Sequence, residues 1–127
     1  MYKNKIFDCI TFYNENVLVN SRFEILNEVV DYFVIIESCY DHKGDKKKIN
    51  FKLLNPKFKS KVRHFVIKDN FTKFYDGWEI ESFQREKILE HIQDASSEDY
   101  IMYSDSDEIP NPEKLKNFIL KKKFGIF

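Results

Sequence analysis

Between Ile6 and Ser38 the chain spells out strand, helix and strand in quick succession, and that order constrains its fold more than any other feature. Ile6-Phe7-Asp8-Cys9-Ile10-Thr11-Phe12 is rich in β-branched and aromatic residues and predicts a strand. Tyr13-Asn14-Glu15-Asn16 interrupts it. From Val17 to Val30 two apolar rows, Leu18/Ile25/Val29 and Val19/Phe23/Leu26/Val30, recur at helical spacing and predict a helix with one wide buried face. Arg22 falls within that face, where an arginine snorkels or pairs with a carboxylate, or else reaches a ligand. Tyr32-Phe33-Val34-Ile35-Ile36-Glu37-Ser38 is a second apolar strand, ending in an acid. Two strands joined by a helix over so short a span lie parallel, with a right-handed crossover. The expected fold class is therefore α/β, a mostly parallel Rossmann-like sheet flanked by helices.

Further along, Lys61 to Lys68 predicts a third strand, in which His64 reads as a structural histidine. Glu79 to Gln93 predicts a helix with Ile88, Leu89 and Ile92 on its core face. Arg85 projects from the middle of that face and needs an anion, either a core carboxylate or a group in the site. Phe71, Phe74, Tyr75 and Trp78 crowd around Gly77, as a roof over the core or a stacking surface for a base or sugar.

Tyr100-Ile101-Met102-Tyr103 then stops at Ser104-Asp105-Ser106-Asp107-Glu108. Such a run reads as a strand buried on both faces, delivering its acids to its carboxyl end, where open α/β sheets keep their ligands. Alternation along extended backbone would turn Asp105 and Asp107 to the same side, able to share one cation. Hard carboxylate oxygens with no His or Cys nearby favour Mg²⁺ or Mn²⁺ over zinc, and so few protein ligands leave positions open for a diphosphate. The competing reading is a solvated turn, with Asn111-Pro112-Glu113 opening a helix that runs to Lys123.

Glu37 falls at the same sheet edge as Asp105, and an acid after the second strand of a nucleotide-binding sheet commonly accepts ribose hydroxyls. Tyr13-Asn14-Glu15 stands where a glycine-rich phosphate loop would be, which passes the phosphates to a metal. The loop from Cys39 to Ile49, with its run of lysines, is either a solvated surface or a cover over a diphosphate.

With 127 residues, 43% of them apolar, residues 1–127 form one domain with a real core. Lys+Arg and Asp+Glu balance at 21 each, so no global field draws nucleic acid or an anionic membrane. The opening residues lack a signal-peptide pattern, and the longest apolar run, Tyr32 to Ile36, falls far below the ~20 residues of a membrane span. Cys9 and Cys39 are not in a metal-ligand spacing, and the expectation is reduced thiols in a cytoplasmic protein. Phe124-Gly125-Ile126-Phe127 looks like the start of another apolar element, so the chain is expected to be truncated at its C-terminus.

Taken in order, these segments resemble glycosyltransferase family 17. The elements that carry the resemblance are Phe12-Tyr13-Asn14-Glu15 with Leu18 and Arg22; Val30 to Glu37; His42 to Gly44; Trp78-Glu79 with Phe83-Gln84-Arg85; and Ser104 to Pro110. The resemblance implies a GT-A fold, of which this chain would be the nucleotide-sugar-binding half. It implies inverting transfer of a sugar, N-acetylglucosamine in the animal member, from a UDP-sugar to a glycan or polysaccharide hydroxyl, with Mn²⁺ or Mg²⁺. By the same resemblance Asp107 would ligate the metal directly. Asp105 would do so through water or hold the ribose, Tyr13, Asn14 and Glu37 would line the nucleotide pocket, and Arg85 would orient carboxylates or phosphates. No catalytic base is assigned, because a carboxylate bound to a cation keeps little basicity. Two alternatives remain: a haloacid dehalogenase-type phosphatase with Asp105 as nucleophile and Asp107 as general acid, and a non-catalytic nucleotide-binding fragment.

Overall fold

The computed structural model describes residues 4–41, 43–70 and 77–117. Its elements are β1 (Ile6–Phe12), α1 (Asn16–Leu26), β2 (Tyr32–Ser38), β3 (Val62–Ile67), α2 (Gly77–Glu90), β4 (Tyr100–Tyr103) and α3 (Pro112–Lys116), with a 3-10 turn at Pro56–Phe58 before β3. All the strands are parallel, in the spatial order β3-β2-β1-β4. The chain works outward from β1 through β2 to β3, then returns to the far side of β1 as β4. That reversal makes the sheet doubly wound and puts its switch point between β1 and β4. The α/β, Rossmann-like arrangement expected of a GT-A chain is present.

Strand alternation divides the core into two layers. Ile6, Ile10 and Phe12 of β1 face α1, where they pack with Val19, Phe23, Leu26, Phe33, Ile35 and Phe58. Phe7 and Cys9 face the other way, onto Val34, Ile36, Ile67, Ile88 of α2 and Ile92 just beyond it. Phe23 is the hub of the first layer, with ring centroids 4.7 Å from Phe33 and 6.0 Å from Phe58. Each such fully buried ring contributes roughly 1.5–3 kcal/mol by leaving water.

The amino-terminal edge of the sheet is tied off by acids. Ile6 N–H donates to Asp31 Oδ2 at 2.8 Å and Asp31 N–H returns to Ile6 O at 3.0 Å. Beside β4, Lys5 N–H donates to Asp99 Oδ1 at 2.8 Å and Tyr100 N–H donates to Lys5 O at 2.8 Å. Lys61 Nζ bonds the carbonyls of Asn27 and Val30, at 2.7 and 3.1 Å, just past the end of α1. These contacts occupy backbone groups at the edge away from the strands' carboxyl ends.

Several expectations are corrected. Helix α1 ends at Leu26, not Val30: the Val29 amide turns back to Leu26 O at 3.1 Å in an i to i−3 bond that tightens the last turn, and Ile25 is 47% exposed. On α2 Gln84 and Ile88 are buried, with Ile92 just past the helix end, while Leu89 is 60% exposed and Arg85 is exposed. Strand β4 pairs only with β1 among the described residues and leaves Ile101 47% exposed, so it is not buried on both faces here. Trp78 is exposed, and the rest of its aromatic cluster, Phe71, Phe74 and Tyr75, lies outside the described residues, as do His42, the helix expected beyond Asn117 and the Phe124–Phe127 segment. No described helix is long and apolar enough to cross a membrane.

Candidate functional site

Asp8 lies on the α1 face of β1, and Arg22 on α1 meets it with a two-pronged pair, Nε to Oδ2 at 2.7 Å and Nη2 to Oδ1 at 2.8 Å. Both side chains are 1% exposed, so each charge is tolerated only because the other is there. The remaining donors of Arg22 gather the turn after β4. Its Nη1 binds Glu108 O at 2.7 Å and, more weakly, Asp105 O at 3.3 Å and Ser106 O at 3.4 Å, while Nη2 binds Ser104 Oγ at 2.8 Å. Of the options open from sequence, Arg22 takes the carboxylate pair.

The turn also folds on itself. Glu108 Oε1 accepts the Asp105 N–H at 3.0 Å, and Glu108 N–H donates to Asp105 O at 3.0 Å. Ser106 and Asp107 are therefore in a turn, not extended, and strand alternation is not what relates the two aspartates. Arg22 holds the turn through the carbonyls of Asp105, Ser106 and Glu108, and Asp105 and Asp107 themselves are exposed.

That cavity, about 530 Å³, opens at the carboxyl ends of the strands, on the β1 to β4 switch point. Thr11, Phe12 and Tyr13 come from the end of β1, Glu15 and Leu18 from the start of α1, Ser38 and Tyr40 from the end of β2, Gln84 from α2, and Asp105, Ser106 and Asp107 from the turn after β4. Lys47 completes the lining. Of the residues expected from sequence, Tyr13, Asp105 and Asp107 are brought together here.

Asn14, Glu37 and Arg85 are not among the lining residues. Asn14 is exposed, and its carbonyl accepts the Asn16 N–H at 3.1 Å. Arg85 sits with its guanidinium 5.0 Å from the Tyr103 ring. Glu37 is wholly buried, and both its oxygens are taken. Oε2 accepts from Lys47 Nζ at 2.7 Å and Asn50 N–H at 2.6 Å; Oε1 accepts from Phe51 N–H at 3.1 Å and meets His64 Nε2 at 3.0 Å. Burial by itself would raise the Glu37 carboxyl, but the Asn50 amide, Lys47 and the Phe51 amide together hold it below the usual carboxylate range.

Glu37 is thereby the anchor of the loop that follows β2. Asn16 and Asn20, one turn apart on α1, continue the fastening. Asn16 bonds Asn50 O at 2.7 Å and the Lys52 N–H at 2.8 Å, and Asn20 bonds Lys52 O and the Leu54 N–H, both at 2.9 Å. At the tip, Asp41 Oδ1 accepts the Lys43 and Asp45 amides, and Gly44 takes φ 89°, which a side chain would resist. Within the lysine run, Lys43, Lys46 and Lys48 are exposed as a solvated surface should be, whereas Lys47 turns in to Glu37 with 9% of its side chain exposed. Nothing in the sequence singles out Lys47 among its neighbours. Gln84 was missed because its place on the α2 face was given to Arg85 and Leu89.

The aspartates suit a hard divalent ion. Among the described residues no ion pair engages the Asp105 or Asp107 carboxylate, and no three His, Cys, Asp or Glu side chains converge as a closed metal cage would require. Two carboxylates beside an open cavity match an ion that fills its other positions with water and substrate oxygens. The cysteines are free and outside this set; burial, and then the neighbouring Asp8 charge, push the Cys9 thiol up to about 12, which leaves it protonated and unreactive.

Comparison with known proteins follows the same line. The profile of Glycosyltransferase family 17 matches residues 1–124. Proteins named beta-1,4-mannosyl-glycoprotein 4-beta-N-acetylglucosaminyltransferase are similar to the chain: those of Rattus norvegicus and Homo sapiens are 28% identical over 117 residues, and that of Mus musculus 27%. Each match covers 84% of this chain and only 22% of the relative. No solved structure matches significantly.

Proposed function

From the premise that this chain belongs to glycosyltransferase family 17, we propose that it binds the donor for a metal-dependent transfer of a sugar from a UDP-sugar to a glycan or polysaccharide hydroxyl, with inversion. The relatives' name specifies N-acetylglucosaminyl transfer, and N-acetylglucosamine is the sugar proposed here. One observation carries the reading: Asp105 and Asp107 share a cavity with Tyr13 at the switch point of a doubly wound sheet.

Asp105 and Asp107 would hold Mn²⁺ or Mg²⁺, which when bound supplies positive charge against the departing diphosphate. Arg22 fixes the turn that presents both carboxylates, so little reorganisation is needed as the donor arrives. Tyr13 offers a half-exposed ring beside them for the nucleoside. With two carboxylates committed to a cation, the base that takes the acceptor proton is another group, and none is assigned. Because the match takes in 22% of each relative, donor binding is the activity assigned to this stretch, ahead of complete transfer. The phosphatase alternative is not favoured: the family profile spans Asp105, and that aspartate follows the fourth strand of the chain, reached after β1, β2 and β3.

A thermal-shift comparison of UDP-, GDP- and CMP-sugars, with and without Mn²⁺, tests the reading. UDP-N-acetylglucosamine with Mn²⁺ at about a hundred times its Kd stabilises by about 2.7 kcal/mol, a rise of several degrees for a domain of this size. A shift with CMP- or GDP-sugars only, or none with any donor, contradicts it.

A further inference from the structure

Glu37 and Lys47 exchange the roles that sequence reasoning gives to this sheet edge. A carboxylate offers roughly four lone-pair positions. Those of Glu37 are met by Lys47 Nζ, the Asn50 and Phe51 amides and His64 Nε2, at 2.6 to 3.1 Å. A ribose hydroxyl donating to Glu37 would have to displace one of them. Lys47 is differently placed. Its ammonium carries three donors, of which one is given to Glu37 at 2.7 Å and one to Lys48 O at 3.0 Å, and the residue lines the cavity. Its ammonium stands 5.4 Å from the centre of the Tyr13 ring.

Charge says what such a lysine faces. Glu15, Asp105 and Asp107 line the cavity as acids, and Lys47 is the single cation among the described lining residues. A divalent ion cancels part of that negative charge, and a diphosphate brings more with it. Lysines are rarely this buried without a defined partner, and here Glu37 divides its own charge among two amides, His64 and Lys47. We propose that Lys47 is a donor-binding residue whose ammonium, oriented by Glu37, takes a pyrophosphate oxygen of the nucleotide on the side away from the aspartates. This rests on the donor-binding reading above and adds to it a protein cation. The buried carboxylate expected to read the sugar of the nucleotide instead aims a lysine at its phosphates.

Calorimetry of UDP and of uridine, each with and without Mn²⁺, on the wild-type chain, Lys47→Met and Asp107→Ala separates the two claims. Lys47→Met weakens UDP about tenfold or more, in Mn²⁺ and without it, and leaves uridine within about twofold. Asp107→Ala removes only the Mn²⁺-dependent part of UDP binding. Since Lys47→Met leaves Glu37 short of a partner, Glu37→Gln/Lys47→Met serves as the companion variant, expected to fold and to lose UDP selectively in the same way. Equal losses for UDP and uridine, or an unchanged UDP affinity in either Lys47 variant, overturn the assignment of Lys47 alone. Failure of the wild-type chain to bind UDP overturns the donor-binding reading and this inference with it.

Discussion

Arg22 is where fold and site meet in one side chain. Its charge is satisfied by Asp8 inside the core, and its spare N–H groups hold Ser104, Asp105, Ser106 and Glu108. Arg22→Met leaves Asp8 buried and uncompensated, at a cost of about 3–5 kcal/mol in urea unfolding. Arg22→Lys keeps the charge but loses the planar fork, and is expected to fold while binding Mn²⁺ more weakly. Glu37 sets a pH dependence of stability. Its folded value lies below the ordinary 4.5, so its stabilisation is complete above 4.5 and is lost as pH falls through the lower folded value. Urea midpoints measured across that range should fall with acidification in the wild type and less steeply in Glu37→Gln; parallel profiles would mean Glu37 is not the group responsible. Neither residue's full role was legible in the sequence. The buried face of α1 showed that Arg22 needs an anion, but its carbonyl partners lie more than eighty residues away along the chain. The donors that fill Glu37 come from Lys47, Asn50, Phe51 and His64, whose approach depends on how the loop after β2 closes.

At the scale of elements, β2 was readable because a parallel sheet covered on both faces demands a continuous apolar run, which Tyr32 to Ile36 supplies, while β1 and β3 showed themselves by β-branched and aromatic residues despite Asp8, Arg63 and His64. What misled was rotation and position. On α2 Ile88 is buried as expected, as is Ile92 just past the helix, but Gln84 shares that face in place of Arg85 and Leu89. On β4 an apolar run reads the same for a strand buried on both faces as for one that is not. The segment after the lysine run has no sheet partner among the described residues and was invisible to periodicity; Asn16 and Asn20 bond its backbone. Asn20→Ala should therefore raise hydrogen exchange at the Leu54 amide by about tenfold or more and lower stability by about 1–3 kcal/mol. Exchange at Leu54 unchanged from wild type would show that the segment is held some other way. Phe23→Ala, at the hub of the α1 layer, should cost about 3–5 kcal/mol in the same unfolding assay.

For the whole molecule, the asymmetry of the sheet is the organising fact. Asp31, Asp99 and Lys61 tie down backbone groups at the amino-terminal edge, while the carboxyl-terminal edge at the β1 to β4 switch holds the cavity with Tyr13, Asp105 and Asp107. Sequence order alone pointed to that edge, since a strand that ends in acids delivers them there. It did not show that a turn gathered by a buried arginine, and not strand alternation, presents the aspartates. The central claim is that these two carboxylates jointly hold a divalent ion against the diphosphate of a UDP-sugar. Calorimetric titration of UDP-N-acetylglucosamine into Asp107→Ala, beside the wild-type chain, tests it most directly: binding that strengthens with Mn²⁺ in the wild type and is indifferent to Mn²⁺ in the variant is predicted, and an Mn²⁺ dependence that survives the substitution would contradict it.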